Sequence, residues 1–340
     1  MPVAEVNHAS PRSPVKESLL DPEMIRVARR LWSEPQQVVP ARGGLFNRVL
    51  RVDTAEGRHF LKRFTDDAAE AGAAFPPLPT RASQRCLVAC AWHELALRAC
   101  GPAATAPVRV PSLVAIEAGL DLVAMEAAAG TALQPLLQAG PDGARAAARL
   151  LPPLARWLAA LHTLPLQPRG ALLAASRPFK AYKVDLQYVR LLGELPERLR
   201  PRARRFIDRY LATEREPVHG DLNSRNLLVD GDTPWAIDFE QGHVGAGPYD
   251  LAYLASEYAT QALVLHEDPL APAALAWGHY GDARRLDDPA AQWQELQAHL
   301  GFQVLYRLLG PSRQVWTGHL DDDAGRRVRD WGLTVLEGVL

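Results

Sequence analysis

Residues 219–238 read HGDLNSRNLLVDGDTPWAID and contain the side chains that phosphoryl transfer requires. Asp221 is followed five residues later by Asn226 and, a further twelve residues on, by Asp238 at the end of an apolar stretch. The phosphates of ATP need Mg²⁺, which prefers a few hard oxygen ligands besides the phosphate oxygens. One carboxylate must also lie beside the acceptor hydroxyl to orient it and accept its proton. The spacing therefore predicts a tight loop that presents Asp221 and Asn226 on one side, with Asp238 returned to face them by a β-turn-β segment.

The residues upstream of this loop predict a small β-sheet with one main helix. Strand patterns occur at residues 37–39, 48–52, 58–64, 113–117 and 120–125. A helical pattern covers residues 81–100, and Asp21-Pro22-Glu23 has the N-cap, proline and acidic residue of a helix start. We therefore expect an N-terminal lobe at residues 21–127, preceded by a loose tail at residues 1–20.

From residue 128 onward the pattern is mainly helical. An Ala/Leu-rich helix is predicted at residues 144–164, which Pro152 and Pro153 should kink or split. Further helices are predicted at residues 181–193 and 201–213 and over most of the chain from residue 249, with short strands at 227–229 and 235–237. The fold class is therefore α+β, with a small antiparallel β-sheet lobe and a mainly helical lobe at residues 128–340.

The loop resembles the catalytic and metal-binding loops of the protein-kinase-like superfamily, in its aminoglycoside phosphotransferase/choline kinase branch. That branch has His-Gly-Asp, as at residues 219–221, where protein kinases have His-Arg-Asp. It often has Ile-Asp-Phe-Glu, as at residues 237–240, and the Gly-Pro-Tyr-Asp-Leu-Ala of residues 247–252 is also similar to it. The resemblance implies a two-lobed kinase-like fold, with Asp221 as the catalytic carboxylate and with Asn226 and Asp238 as magnesium ligands.

The same resemblance implies supporting roles for neighbouring residues. Asp250 would open a helix behind the catalytic loop and accept hydrogen bonds from that loop. His219 would bond backbone near the metal-binding loop rather than act as a base, and His162 would be packed rather than catalytic.

The N-terminal half carries the residues that the resemblance assigns to the nucleotide. Gly43, Gly44 and Asn47 lie in a turn similar to the one that covers the nucleotide in this family, where glycine lets the backbone approach phosphates. Lys62 lies on the following strand, where kinase-like folds place the lysine that contacts the α- and β-phosphates. It is also one of only four lysines in the chain.

Two further parts of a nucleotide site follow from the resemblance, which covers roughly residues 36–260. Glu94, on the predicted helix, is the expected ion-pair partner of Lys62. Glu70 is the alternative, because residues 65–80 could be either an insertion or the true start of the helix. Residues 125–128 would form the hinge, where Glu126 and Ala128 would offer backbone groups to adenine.

Composition excludes several other classes of protein. The 340 residues include 38 Lys+Arg and 39 Asp+Glu, so the net charge of −1 argues against general nucleic-acid binding. Cys86, Cys90 and Cys100 are too few for a disulfide scaffold, and no neighbouring ligands complete a zinc site. No apolar run reaches the roughly 20 residues of a membrane helix, and the first twenty residues lack the apolar core of a signal peptide. We therefore expect a cytoplasmic protein.

The sequence favours a kinase for small molecules over two alternatives. Asn223 occupies the position where protein kinases often have a lysine, Glu240 replaces the glycine of Asp-Phe-Gly, and Ala-Pro-Glu is missing. These departures argue against a Ser/Thr protein kinase. A catalytically silent nucleotide-binding module is the other alternative, but it would need a lost base or metal ligand, and each of those positions is filled.

The sequence leaves the identity of the phosphate acceptor undetermined. A sugar, an amino sugar, an amino alcohol or a sugar-lipid headgroup would each supply a hydroxyl. The acidic excess of residues 241–340 favours a cationic acceptor, whereas the basic residues 165–217, with Arg177, Lys180 and Lys183, favour an anionic one. The preference for ATP over GTP and the oligomeric state are also undetermined by the sequence.

Overall fold

The computed structural model describes residues 21–41, 47–66, 75–76, 78–102 and 106–340. The predicted tail at residues 1–20, Gly43, Gly44 and Glu70 lie outside the described residues. The first part of the chain contains α1 (Pro22–Leu31), β1 (Gln37–Pro40), β2 (Asn47–Asp53), β3 (Arg58–Phe64), α2 (Ala82–Cys100), β4 (Leu113–Glu117) and β5 (Leu122–Glu126). All five predicted strands and the main helix are therefore present.

The five strands form one antiparallel sheet in the order β1-β2-β3-β5-β4. Successive residues of a strand point to opposite faces. Leu61 accordingly packs in the cluster that α1 covers, while Phe64 packs on the other face against α2. Lys62 shares the face of Phe64, and this alternation alone turns its ammonium group toward α2 and the interior of the molecule.

The rest of the chain is mainly helical. Its helices are α3 (Leu133–Leu137), α4 (Gly140–Ala148), α5 (Leu151–Thr163), α6 (Arg169–Gln187), α7 (Arg200–Ala212), α8 (Gly247–Val264), α9 (Ala271–Ala283), α10 (Pro289–Leu309), α11 (Arg313–Trp316) and α12 (Asp322–Val339). Its short strands are β6 (Thr131–Ala132), β7 (Glu216–Val218), β8 (Leu227–Asp230), β9 (Thr233–Ala236) and β10 (His243–Gly245). The predicted α+β class, a β-sheet region followed by a mainly helical part, is confirmed, whereas the boundary between residues 127 and 128 stays a prediction.

The helical part confirms one detail of the sequence prediction and differs from it in two others. The predicted split before Pro152 is confirmed, because α4 ends at Ala148 and α5 begins at Leu151. However, α6 begins at Arg169 rather than at residue 181 and contains Pro178, a residue that usually ends a helix. The pairing of β7 with β10 was not predicted, because strands of three residues carry too short a pattern to detect.

Helix α2 connects the sheet to the helical part. The indole of Trp92 is fully buried and donates a hydrogen bond to the Val218 carbonyl at 2.8 Å. Gly242 packs so closely on this indole that a Cβ there would lie 2.3 Å from the ring. The strand that leads into residues 219–221 is thus fixed to α2. No helix among the described residues is both long and apolar enough to span a membrane.

Candidate active site

A cavity of about 680 Å³ lies between the five-stranded sheet and the C-terminal helices. It brings together seven of the predicted site residues, from segments as distant as β2 and the loop after β9. These are Asn47, Lys62, Glu126, Ala128, Asp221, Asn226 and Asp238.

The loop that carries Asp221 is held from behind by a buried carboxylate. Asp250, at the start of α8, accepts hydrogen bonds from the backbone N–H groups of His219 at 2.6 Å and Gly220 at 3.0 Å. Burial by itself would raise the pKa of Asp250, but its hydrogen bonds, first that with His162, lower that pKa. The expected supporting roles of Asp250 and His162 are therefore found.

Gly220 is required by the turn between β7 and Asp221. Its φ is +80°, and a Cβ at this position would lie 2.1 Å from the Gln241 carbonyl oxygen. Only glycine adopts this conformation without strain and also permits such a close approach. The two loops that carry Asp221 and Asp238 consequently pass within contact distance of each other.

His219 joins the same two loops from the interior. Its Nε2 lies 3.1 Å from the carbonyl oxygen of Ile237, and its ring packs on that of Phe239 at 4.8 Å between centroids. Burial lowers the pKa of His219. A buried neutral histidine bound to backbone holds the loops together, as the resemblance implied.

Both oxygens of the Asp221 carboxylate have partners. Oδ1 accepts hydrogen bonds from the Lys183 ammonium at 2.6 Å and from the Tyr253 hydroxyl at 3.0 Å, and Oδ2 accepts one from the Asn226 amide at 3.0 Å. The Lys183 side chain is only 5% exposed, so this is a largely desolvated ion pair. The carboxylate is thereby fixed in orientation in the lining of the cavity.

Lys183 is a site residue that the sequence did not distinguish from its basic neighbours. It was grouped with Arg177 and Lys180, but Arg177 is exposed and pairs with Glu214, while Lys180 donates to the Thr213 carbonyl. Only Lys183 of the three lines the cavity. The scarcity of lysine in the chain was the one signal available, and it applied equally to Lys180.

Asn226 and Asp238 provide a donor set that fits Mg²⁺. The Asn226 amide nitrogen donates to the backbone and side chain of Asp221, so the amide oxygen takes no part in these bonds. Asp238 has a left-handed φ of 69°, which is unusual for a residue with a side chain and typical of functional sites. Magnesium commonly takes one or two protein oxygens and completes its shell with phosphates and water.

Lys62 contacts two carboxylates across the cavity. Its ammonium lies 2.5 Å from Oδ1 of Asp238 and 2.9 Å from Oε2 of Glu240. Burial by itself would lower the pKa of Lys62, but the charges of Asp238 and Glu240 raise it. Asn47 also donates a hydrogen bond to Glu240, so residues of β2 and β3 meet the segment after β9 at this point.

The two carboxylates differ in their response to this environment. Burial raises the pKa of Glu240 despite the nearby lysine. For Asp238, burial acts in the same direction, but the charge of Lys62 and its hydrogen bond lower the pKa. Asp238 is thus the better anion of the pair, as a metal ligand should be.

The structure does not bring Glu94 to Lys62, which corrects the predicted ion pair. Glu94 is exposed on α2, and no ion pair among the described residues includes it. The face of α2 that lines the cavity instead carries Ala89, Cys90 and His93, which lack a carboxylate. Cys90 is therefore part of the cavity wall rather than simply a buried residue.

The predicted hinge lies at the edge of the same cavity. Glu126 ends β5 and donates its backbone N–H to the Ser112 carbonyl at 3.0 Å, and the Ala127 N–H bonds to the Arg58 carbonyl at 3.0 Å. Ala128 follows directly and lines the cavity. The segment between the sheet and the helices therefore lies where a planar base could pack against Val49, Met125 and Leu228.

Comparison with known proteins gives one family and a consistent fold. The model of the "phosphotransferase enzyme family" matches residues 37–288. The ADP-bound aminoglycoside phosphotransferase APH(2″)-Ib is 12% identical, with a TM-score of 0.52 over 93% of this chain and 98% of that one. Choline kinase from Cryptosporidium parvum Iowa II is 12% identical, with a TM-score of 0.54 over 94% of this chain and 96% of that one.

A third structure, an ethanolamine kinase from Plasmodium vivax, is 15% identical, with a TM-score of 0.53 over 93% of this chain and 85% of that one. At such identities these likenesses concern the fold alone. No curated protein sequence matches the chain.

Proposed function

Because this chain belongs to the phosphotransferase enzyme family, we propose that it transfers the γ-phosphate of ATP, with Mg²⁺, to a hydroxyl group of a small molecule. The observation that carries this proposal is the meeting of Lys62, Asp221, Asn226 and Asp238 around one cavity. These groups supply a phosphate contact, a base and hard oxygen ligands, which are the parts that phosphoryl transfer needs. A cytoplasmic location, inferred from the sequence, is kept as part of the proposal.

Asp221 is proposed to orient the acceptor hydroxyl and to take its proton. The acceptor oxygen attacks the γ-phosphorus, the bond to the β–γ bridging oxygen breaks, and ADP leaves with that electron pair. The hydroxyl proton passes to the Asp221 carboxylate and then to water. Lys183, Tyr253 and Asn226 act as positioning residues, because their hydrogen bonds hold both oxygens of this carboxylate.

Asn226 and Asp238 are proposed to hold the metal ion through their side-chain oxygens. These two side chains would hold Mg²⁺, which would supply positive charge to offset the negative charge of the phosphates. The protein contributes a rigid placement: Asn226 is tied to Asp221, and the Ile237 N–H bonds to the Asn226 carbonyl at 3.0 Å. Hydrogen bonds therefore link the segments that carry the base and both ligands.

Lys62 is proposed to contact the α- and β-phosphates, with Glu240 as its orienting partner in place of Glu94. The side chain of Glu240 is 6% exposed and lies 2.9 Å from the ammonium. When Asp238 binds the metal, Glu240 remains to hold Lys62. Backbone groups at Glu126 and Ala128 would bind adenine, and the predicted phosphate contacts of Gly43 and Gly44 stay part of this proposal.

The replacement Glu240→Gln tests the new partner. We expect it to raise the KM for ATP or lower kcat by on the order of tenfold, because a charge-assisted hydrogen bond contributes about 1.5–3 kcal/mol. Steady-state kinetics with varied ATP would measure both constants. The matched control is Glu94→Gln, which should change neither constant by more than about twofold, as is usual for an exposed surface substitution. The reverse result, a large effect at Glu94 alone, would restore the original prediction.

The function itself is tested by acceptor-dependent release of ADP. The full chain would be incubated with ATP and Mg²⁺ and a panel of aminoglycosides, choline, ethanolamine, homoserine, sugars and sugar-lipid fragments. We expect at least one acceptor to stimulate ADP release and EDTA to abolish that release. Nucleotide binding that ignores Mg²⁺, without turnover of any acceptor, would instead indicate a silent binding module. Phosphate transfer to peptides would indicate a protein kinase.

A further inference from the structure

The side of the cavity that faces Asp221 from the C-terminal helices is aromatic and carries no carboxylate among the described residues. We call it the acceptor wall, formed by Tyr182 and Lys183 of α6, Tyr253 of α8, Tyr306 of α10, and Gln314 and Trp316 of α11.

Four carboxylates line the rest of the cavity. They are Glu126, Asp221, Asp238 and Glu240. Asp238 and Glu240 share one cation, that of Lys62, Asp221 is paired with Lys183, and Glu126 lies at the hinge. A cationic group on an acceptor therefore finds no free carboxylate on the acceptor wall.

Cations of the protein already occupy ring faces of the acceptor wall. The Arg307 guanidinium is buried 4.8 Å from the Tyr253 ring centroid and 4.7 Å from that of Trp316. The Lys183 ammonium lies 5.2 Å from the Tyr253 ring. Aromatic faces attract cations, but here that attraction is used within the protein. Arg307 is in turn paired with the buried Glu257 at 3.2 Å and Lys183 with Asp221, so neither charge behind the rings is unpaired.

The polar ends of three of these aromatic side chains also have partners within the protein. The Trp316 indole N–H donates to the Ser312 hydroxyl at 2.9 Å, and the Tyr182 hydroxyl donates to the Pro76 carbonyl at 3.3 Å. The Tyr253 hydroxyl donates to Asp221. What remains for an acceptor is mainly the apolar surface of the rings.

On the basis of the proposed phosphotransfer, we propose that the acceptor is a hydroxyl compound without a cationic group, whose flat apolar face packs on the acceptor wall. The apolar face of a neutral sugar ring or of an aromatic alcohol has this shape. Packing on Trp316 and Tyr306 would direct a hydroxyl toward Asp221, where Lys183 leaves no unpaired negative charge to bind an ammonium group. Amino sugars with several amines and quaternary amino alcohols are therefore poor acceptors.

The charge of the acceptor wall can be measured without any acceptor. Fluorescence quenching by iodide, caesium and acrylamide would be compared for the full chain and for Trp316→Phe, so that the difference reports on Trp316. We expect caesium to quench Trp316 no better than iodide at equal ionic strength, because the acceptor wall has no unpaired carboxylate that would concentrate cations. Quenching by acrylamide, which is neutral, reports how accessible Trp316 is to solvent. Better quenching by caesium than by iodide would overturn the proposal.

Kinetics with matched acceptors tests the consequence for selectivity. Choline would be compared with 3,3-dimethylbutan-1-ol, and glucosamine with N-acetylglucosamine, by ADP release. We expect the uncharged member of a pair to have the higher kcat/KM, by about tenfold or more, because the amine has no partner to replace its lost hydration. A higher kcat/KM for the amine members would overturn the proposal.

A carboxylate added to the acceptor wall should reverse this selectivity. Gln314→Glu is expected to shift the ratio of kcat/KM toward the amine by about tenfold, which is the scale of a charge-assisted hydrogen bond. Gln138→Glu is the matched control, since Gln138 is exposed and lies outside the cavity lining. An unchanged ratio in Gln314→Glu would contradict the proposal. Because the quenching experiment needs no turnover, failure of the acceptor assignment and failure of the proposed function are separately visible.

Discussion

Replacing Asp221 by asparagine should lower kcat by about 10²–10⁴-fold, the range that a positioned general base contributes. The amide keeps the size of the carboxylate but cannot accept the hydroxyl proton. It also presents either an oxygen or an NH₂ group to Lys183 and Tyr253, which now share one carboxylate oxygen. The KM for ATP should stay within about twofold, because the residues proposed to contact the nucleotide are unchanged. Initial rates of ADP release at saturating acceptor would measure the loss.

Asp230→Asn is a suitable control for this experiment. Asp230 is an exposed aspartate at the end of β8, so the same chemical change there should leave kcat unaltered. Thermal unfolding of both variants would show that neither has lost its fold. Wild-type turnover in a folded Asp221→Asn variant would remove Asp221 from the mechanism and with it the main support for the proposed function.

Replacing Lys183 by methionine should lower kcat by roughly 10- to 100-fold, the rate equivalent of losing a charge-assisted hydrogen bond of about 1.5–3 kcal/mol. Methionine preserves the length and apolar stem of the side chain but removes its charge. Asp221 would then be held only by Tyr253 and Asn226, and its carboxylate could turn away from the acceptor. The predicted signature is a fall in kcat with an unchanged KM for ATP, because Lys183 contacts Asp221 rather than the hinge.

The chain supplies a matched control one turn away on the same helix. Lys180 is also buried, but it bonds to the Thr213 carbonyl and packs over the Tyr210 ring, outside the cavity lining. Lys180→Met therefore reports the cost of removing a buried ammonium from α6 without touching Asp221. Equal losses of kcat in the two variants, tracking equal losses of thermal stability, would reduce Lys183 to a structural residue.

The sequence by itself determined the features that depend on short-range order. The spacing of Asp221, Asn226 and Asp238 specifies one loop and one β-turn-β segment, and β8 and β9 indeed return Asp238 to that loop. Alternation in β3 was enough to place Lys62 on the inner face of the sheet. The N-cap at Asp21 and the helix break before Pro152 follow from local chemistry in the same way.

Only the tertiary structure decided which charged groups meet. Glu94 has the expected residue type and helix, but α2 docks through Trp92 and turns Ala89, Cys90 and His93 to the cavity, leaving Glu94 exposed. Lys183 is separated from Asp221 by 38 residues, and nothing local distinguishes it from Lys180. A helical period tells which residues share a face, but the rotation of that face is set by packing against other elements. Buried ion pairs are selected by that rotation, which is why the motifs could be read from the sequence and the partners of Lys62 and Asp221 could not.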